Sequence, residues 1–356
     1  MNRRLANILL ILAVVGVLLY LLKSVLLPFV AGILVAYFLD PLADRLERTG
    51  CSRTLATAII TAGFFLAVGL GIVVVFPLLQ DQIVGLVHRA PAVIEAVRDR
   101  AQPLIERLHT QLTDEQVAKL KDAAGGYAGE AVKWVTQFVK GLLSGGVAFF
   151  QLISLLIITP LVSFYLLRDW DRIVERFDAL LPRDMAPTIR AQMAAIDATV
   201  AGWVRGQATV CLILGIWYGL GLTAVRLEFG LVVGFITGLV SFIPYFGCGI
   251  GLVVALGIAF AQFGIGAKMA MVVAVFAIGQ IVEGYVLTPR LVGEKVGLHP
   301  VWVIFALFAG GALFGFTGVL LAVPVAAVIG VLIRFAISRY KESSLYRGDD
   351  TGSGAG

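Results

Sequence analysis

One carboxylate stands inside an apolar run near the C-terminal end of this chain: Glu283, in the stretch EGYVLTPRLVGEKVGLHP over residues 283–300. Between residues 201 and 340 the only acids are Glu228, Glu283 and Glu294. Glu228 follows Arg226 in a short connection and Glu294 precedes Lys295, so Glu283 is the acid set in an apolar environment. A charged group at the centre of a bilayer helix costs about 2.5–3.5 kcal/mol, so such groups face a bundle interior or a wet cavity. Gln280 lies three residues earlier and shares a helix face with Glu283. A Thr-Pro break at 288–289 is expected to end this span in a rigid turn, and Arg290 just past it is a candidate counter-charge. A carboxylate and an amide on one face can bind a cation, hold a proton, or exchange hydrogen bonds with substrate hydroxyls. The alternative is a Glu283 near the membrane surface, paired with Arg290 or protonated, that only fixes helix ends.

The second group is two glycine- and proline-interrupted apolar blocks. In block 230–263 the sequence SFIPYFGCGIG places Pro244, Tyr245, Gly247, Gly249 and Gly251 in what would otherwise be one long helix. In block 300–335 the sequence GGALFGFTG contains Gly311 and Gly315, with Pro324 following. Proline removes an amide donor and glycine weakens a helix. Irregular backbone at membrane depth survives only where protein buries it or water reaches it. Paired interruptions of this kind point to a transporter binding site, with half-helix ends supplying partial charge. Each block can also be two short spans joined by a tight turn, or the glycines can serve close helix packing. A third candidate group is Trp203, Arg205, Gly206 and Gln207 at the entry to a span. There Trp203 reads as an interface anchor and Arg205 as a snorkelling side chain.

The elements that must position these residues follow from composition. Of 356 residues 59% are hydrophobic and 14% charged, well below the ~25% charge of soluble domains. Mean hydropathy is +0.95. The chain is expected to be an all-α polytopic membrane protein with about eight transmembrane helices, some broken or re-entrant, plus an amphipathic helical extramembrane module. The run Leu5–Leu39 reads as a hairpin of two spans turning near Lys23, Ser24 and Pro28, and DPLADRLERTGCSR as a polar loop. A third span over about Leu55–Phe76 is ended by Pro77, closing an N-terminal segment 1–76. Residues 77–145 form the extramembrane module, with Ile83, Leu86, Ala90, Ile94 and Val97 at helical spacing. Residues 146–202 hold a fourth span and cytoplasmic amphipathic helices, 203–340 the core with broken helices, and 341–356 a polar tail read as disordered.

Lys and Arg in the short connections place the N-terminus in the cytoplasm. The net charge of +5 follows from these loops and not from nucleic-acid binding. Cys51, Cys211 and Cys248 are far apart and fit neither a disulfide framework nor a zinc site. No GxxxxGK[ST], HExxH or GxSxG is present, so the expectation is no enzyme, no ATP hydrolysis and no cofactor or metal.

Over residues 5–340 the chain resembles the AI-2E family, the autoinducer-2 exporter-like permeases. The resemblance rests on AYFLDPLADRLERTGCSRTLAT, FYLLRDWDRI, VRGQ, FIPYFGCGIG, EGYVLTPRLVGEKVGLHP and GGALFGFTGVLLAVP. It implies a multi-pass, oligomeric transporter of the bacterial cytoplasmic membrane. Some members are associated with export of autoinducer-2, others look like sodium/proton antiporters. The expected function is secondary transport exporting a small polar metabolite. The alternatives are a Na⁺(Li⁺)/H⁺ antiporter using Glu283, and a non-transporting membrane scaffold. The expected substrate or ion path comprises Glu283, Gln280, Pro244, Tyr245, Gly247, Gly249, Pro289, Arg290, Gly311 and Gly315. The expected partners are a small polar substrate or a monovalent cation or proton, the lipid bilayer and further copies of this chain.

Overall fold

The computed structural model describes Leu10, Val14 and residues 16–23, 25–108, 147–292 and 297–347. Among these residues the fold is helical and contains no strand. After a helical stretch at 16–21 come α1 (Leu26–Arg48), α2 (Arg53–Leu108), α3 (Val147–Ala179) and α4 (Ala186–Ala224). Then follow α5 (Gly230–Val240), α6 (Phe246–Phe263), α7 (Ala267–Val282), a π-helical segment π1 (Glu283–Val292), α8 (Pro300–Glu342) and the single turn α9 (Ser344–Arg347). Seven helices among the described residues are long and apolar enough to cross a membrane.

The chain divides into two compact units. The first comprises Met1–Ala62, Ile157–Gln207 and Pro289–Gly356, and the second Gly63–Leu156 and Ala208–Thr288.

In the first unit α1 packs on α3 through small and hydroxyl residues. A Cβ on Gly32 would sit 2.7 Å from Val162, so only glycine permits this approach. Ser163 Oγ donates to the Gly32 carbonyl at 3.0 Å and Thr159 Oγ1 to the Pro28 carbonyl at 3.3 Å. Close backbone approach with hydroxyl bonds across it is a common way to join helices in lipid, where apolar burial drives little. The expected turn near Lys23 is present, but Pro28 lies inside α1. The expected polar loop DPLADRLERTGCSR is helical as far as Arg48 and loops only at Thr49–Ser52. Leu39 and Ala43 are buried on its inner face, and this apolar stripe continues the helix past Pro41. Arg53, at the start of α2, bridges Asp40 at 3.2 Å, Asp44 at 2.5 Å and Glu47 at 3.1 Å. Its Nε also donates to the Leu167 carbonyl on α3 at 3.0 Å.

Helix α8 is two arms. Gly315 has φ 61 and ψ −141, a backbone region that only glycine occupies without strain. There the chain reverses, and Gly310 comes so close to Gly318 that a Cβ would lie 2.5 Å from its carbonyl oxygen. The expected interruption of block 300–335 is therefore a helical hairpin turning at Gly315. Trp203, expected at a membrane interface, is 3% exposed and belongs to the core of this unit. Beside it Gly206 packs against the backbone of Leu291 on π1, an approach that a side chain would block.

In the second unit α2 continues as helix through Pro77, Pro91 and Pro103 to Leu108. Pro77 therefore does not end the helix, although the apolar span itself covers Arg53–Val74. A proline removes only one hydrogen bond, and the flanking turns of a long helix hold it together. The 77–108 part of the expected module is thus one helix with that span, and its remainder, 109–145, lies outside the described residues, as do Glu294 and Lys295. Block 230–263 breaks as expected, into α5, a turn at 241–245 and α6.

Helix α5 has 11 residues, about 16 Å at ~1.5 Å per residue, against a ~30 Å hydrocarbon core. The two ends of the α5–α6 hairpin meet. Gln262 accepts from the Glu228 amide at 2.8 Å and donates to the Arg226 carbonyl at 3.1 Å. Arg89 of α2 pairs with Glu228, Gln82 accepts from the Val232 amide at 3.3 Å, and Arg100 donates to the Phe260 carbonyl at 3.2 Å. Helix α6 has 18 residues, about 27 Å at ~1.5 Å per residue, and is long enough to cross a membrane where α5 is not.

Candidate functional site

The turn that carries the site is built by glycine. Gly234 and Gly238 lay α5 directly on the backbone of Tyr218–Gly219 and Gly215 in α4. Gly247 and Gly251 let α6 fold back onto Ser241 and Thr237 in the same way. Thr237 Oγ1 and Ser241 Oγ return their hydrogen bonds to the Val233 and Thr237 carbonyls, at 2.6 Å and 2.8 Å. Pro244 leads into Tyr245, which caps α6 at φ 70 and is exposed. A bulky residue at positive φ is a genuine outlier and marks a strained turn. Gly249 has open space around it.

Facing this turn within the same unit are α4 and α7. Tyr218 is fully buried and stacks on Phe276, ring centroids 4.7 Å apart. Its hydroxyl lies 3.9 Å from Cys248 Sγ, in the first turn of α6, and also reaches Gln280. Gly279 makes room for that ring, since a Cβ there would meet Tyr218 Oη at 2.6 Å. Gln280 Nε2 donates to Glu283 Oε2 at 2.7 Å. The Glu283 charge lies within electrostatic range of Tyr218, Cys248 and Cys211. A phenol, a thiol, an amide and a carboxylate thus converge from α4, α6, α7 and π1.

Glu283 and Gln280 share a face, as their spacing requires. Glu283 is half-buried and Gln280 exposed. The carboxylate takes its hydrogen bond from Gln280, and Arg290, expected as its counter-charge, is exposed. The Thr-Pro break expected at 288–289 does not form: the chain stays helical through Pro289 to Val292 in the wider π geometry. A π ladder bonds five residues back, which relieves the clash of the proline ring with the preceding turn, while Pro289 contributes no N–H to it. Such π turns occur often at functional sites.

Of the other expected path residues, Pro289, Arg290, Gly311 and Gly315 belong to the first unit, while Pro244, Tyr245, Gly247, Gly249, Gln280 and Glu283 belong to the second. Tyr218, Cys248 and Cys211 were not expected as site residues. The signal that could have found Cys248 is its place between Gly247 and Gly249. Tyr218 carries none, being one aromatic in an apolar helix. Among the described residues no group of three or more His, Cys, Asp or Glu could hold a metal ion.

Comparison with known proteins bears on this arrangement. The profile described as AI-2E family transporter matches residues 9–338. The chain is 31% identical over 313 residues to the Bacillus subtilis protein YrrI, named as a transport protein, covering 87% of this chain and 86% of that one. It is 30% identical over 317 residues to the Escherichia coli K12 protein PerM, named as a permease, covering 87% of each. Neither name specifies a substrate. With a match over nearly its whole length and a multi-pass helical fold, this chain belongs to the AI-2E transporter family.

Proposed function

We propose that this transporter exports a small, hydroxyl-rich polar metabolite, with an autoinducer-2-like signal as the leading substrate, by secondary transport without ATP hydrolysis. The observation that carries the reading is the Gln280–Glu283 hydrogen bond of 2.7 Å beside Tyr218 and Cys248, near the broken α5–α6 hairpin. A hydroxyl-rich solute that leaves water needs donors and acceptors in return. Glu283 offers acceptors and Gln280 both kinds, and their mutual bond is the contact a substrate hydroxyl would replace. The strained Tyr245 turn and the π segment supply irregular backbone, whose groups exchange partners more readily than those of a closed helix. Gly311 and Gly315, around the α8 hairpin turn, and Pro289 and Arg290, in the π segment, are path residues proposed for the first unit, and the N-terminus is assigned to the cytoplasm by its basic loops.

The test is uptake of labelled autoinducer-2 into inverted membrane vesicles. Glu283→Gln keeps the shape and removes the charge. We expect it to reduce uptake about tenfold or more, the loss of one charge-assisted hydrogen bond. Uptake equal to wild type would remove Glu283 from the path. The second reading, exchange of a monovalent cation for a proton at Glu283, is favoured by that residue being the acid set in this apolar region. It predicts that Na⁺ or Li⁺ discharges a proton gradient in proteoliposomes, read with a pH dye; no response to either ion counts against it.

A further inference from the structure

The first unit contains a cavity of about 260 Å³ between α1, α3 and α4, remote in sequence from Glu283. Its lining includes Tyr37 and Asp40 of α1, Leu166 and Trp170 of α3, and Asp197 and Arg205 of α4. Three features define what it can hold. The first is an aromatic wall: Tyr37 and Trp170 meet edge to face, with ring centroids 6.1 Å apart. The second is an apolar floor, to which Leu166 contributes.

The third is excess negative charge. Asp40 and Asp197 lie close enough to repel each other. Arg53, beside Asp40, is shared with Asp44 and Glu47, so one guanidinium serves three carboxylates. Arg205 turns its Nε back to the Ala201 carbonyl of its own helix at 3.0 Å. Of the charged lining residues two are carboxylates, Asp40 and Asp197, and one is a guanidinium, Arg205. Asp197 is exposed and faces the Tyr37 hydroxyl, so its charge is presented at an open mouth.

We propose that this cavity is a binding site for a small organic ammonium ion, seated with its charge between Asp197 and the aromatic wall of Tyr37 and Trp170. A cation over an aromatic face is held by the ring quadrupole, and quaternary ammonium groups are recognised this way. The carboxylate supplies the long-range attraction, and the apolar floor takes the methyl or methylene groups. A carboxylate ligand would meet the excess acidity and be repelled. A metal ion is a poorer fit, since hard cations require several oxygen ligands and no group of three or more His, Cys, Asp or Glu among the described residues could hold one. The cavity belongs to the first unit and the Glu283 cluster to the second, and the proposal does not depend on what that cluster transports.

The experiment is isothermal titration calorimetry on the purified full chain in maltoside detergent. Choline is the probe, and 3,3-dimethylbutan-1-ol, its uncharged isostere, the control. The wild-type protein is expected to bind choline saturably and the alcohol at least about tenfold more weakly. Asp197→Asn and Trp170→Leu should each weaken choline binding about tenfold, and Glu283→Gln should leave it unchanged. Equal binding of the two probes overturns the proposal, because an apolar cavity alone would explain it. So do the absence of saturable choline binding and an unchanged affinity in Asp197→Asn. Should either variant fail to fold, the comparison of the two probes on the wild-type chain decides by itself.

Discussion

Substituting Gly279 by alanine tests whether Tyr218 is locked in place beside the candidate site. A Cβ at residue 279 would lie 2.6 Å from both Cε1 and Oη of Tyr218 and 2.7 Å from Cζ. The ring has nowhere to retreat, being fully buried and stacked on Phe276. Alanine otherwise favours a helix over glycine by about 1 kcal/mol. Forcing extra volume into a packed interior costs about 1–3 kcal/mol. The two effects oppose each other, so Gly279→Ala should destabilise by up to about 2 kcal/mol.

Gly284, five residues on, has nothing within 4 Å of the position a Cβ would take, so Gly284→Ala meets no clash. The gap between the two variants isolates the clash, expected at about 1–3 kcal/mol. It can be read as a difference in SDS-unfolding midpoints of the purified protein in mixed micelles. Adding Tyr218→Phe removes the Oη contact but not that with Cε1, so the double variant should recover part of the loss. Equal midpoints for Gly279→Ala and Gly284→Ala would refute the close approach of Tyr218 to α7, and with it the geometry of the cluster.

Two further outcomes follow from the first unit. Arg53→Lys should lower stability by about 1–3 kcal/mol despite keeping the charge, because one ammonium cannot reproduce a fork that holds three carboxylates and the Leu167 carbonyl. An unfolding midpoint matching wild type would show that the fork is dispensable. Gly315→Ala forces a side chain onto φ 61 and ψ −141, at an expected cost of about 1–3 kcal/mol in the same assay. A neutral result would mean that the α8 hairpin does not turn at that residue.

The local features of the site were legible in the sequence. Gln280 and Glu283 are three residues apart, and helical geometry alone brings them to one face, where they hydrogen-bond. The glycine- and proline-rich interruptions at 241–251 and 310–318 mark real chain reversals, because the backbone conformations they permit belong to the residues themselves. Membrane residence was equally plain from charge and hydropathy. The prolines misled where they stood alone. Pro77 and Pro289 each remove one donor, and whether a helix survives that depends on its neighbours rather than on the proline.

What composition and spacing decided by themselves was a helical membrane chain with one acid set in its apolar C-terminal region and two broken segments. Only the tertiary structure decided which distant groups surround that acid. Tyr218 and Cys248 are 30 residues apart, and Tyr37 and Asp197 further still, so no periodic pattern connects them. Glycine-mediated packing of α4, α5, α6 and α7 brings the first pair together, and the α1–α3–α4 contacts the second. The physical reason is range: helical hydrogen bonding repeats every three to four residues and can be read along the chain, whereas close packing selects partners by shape once the helices have met.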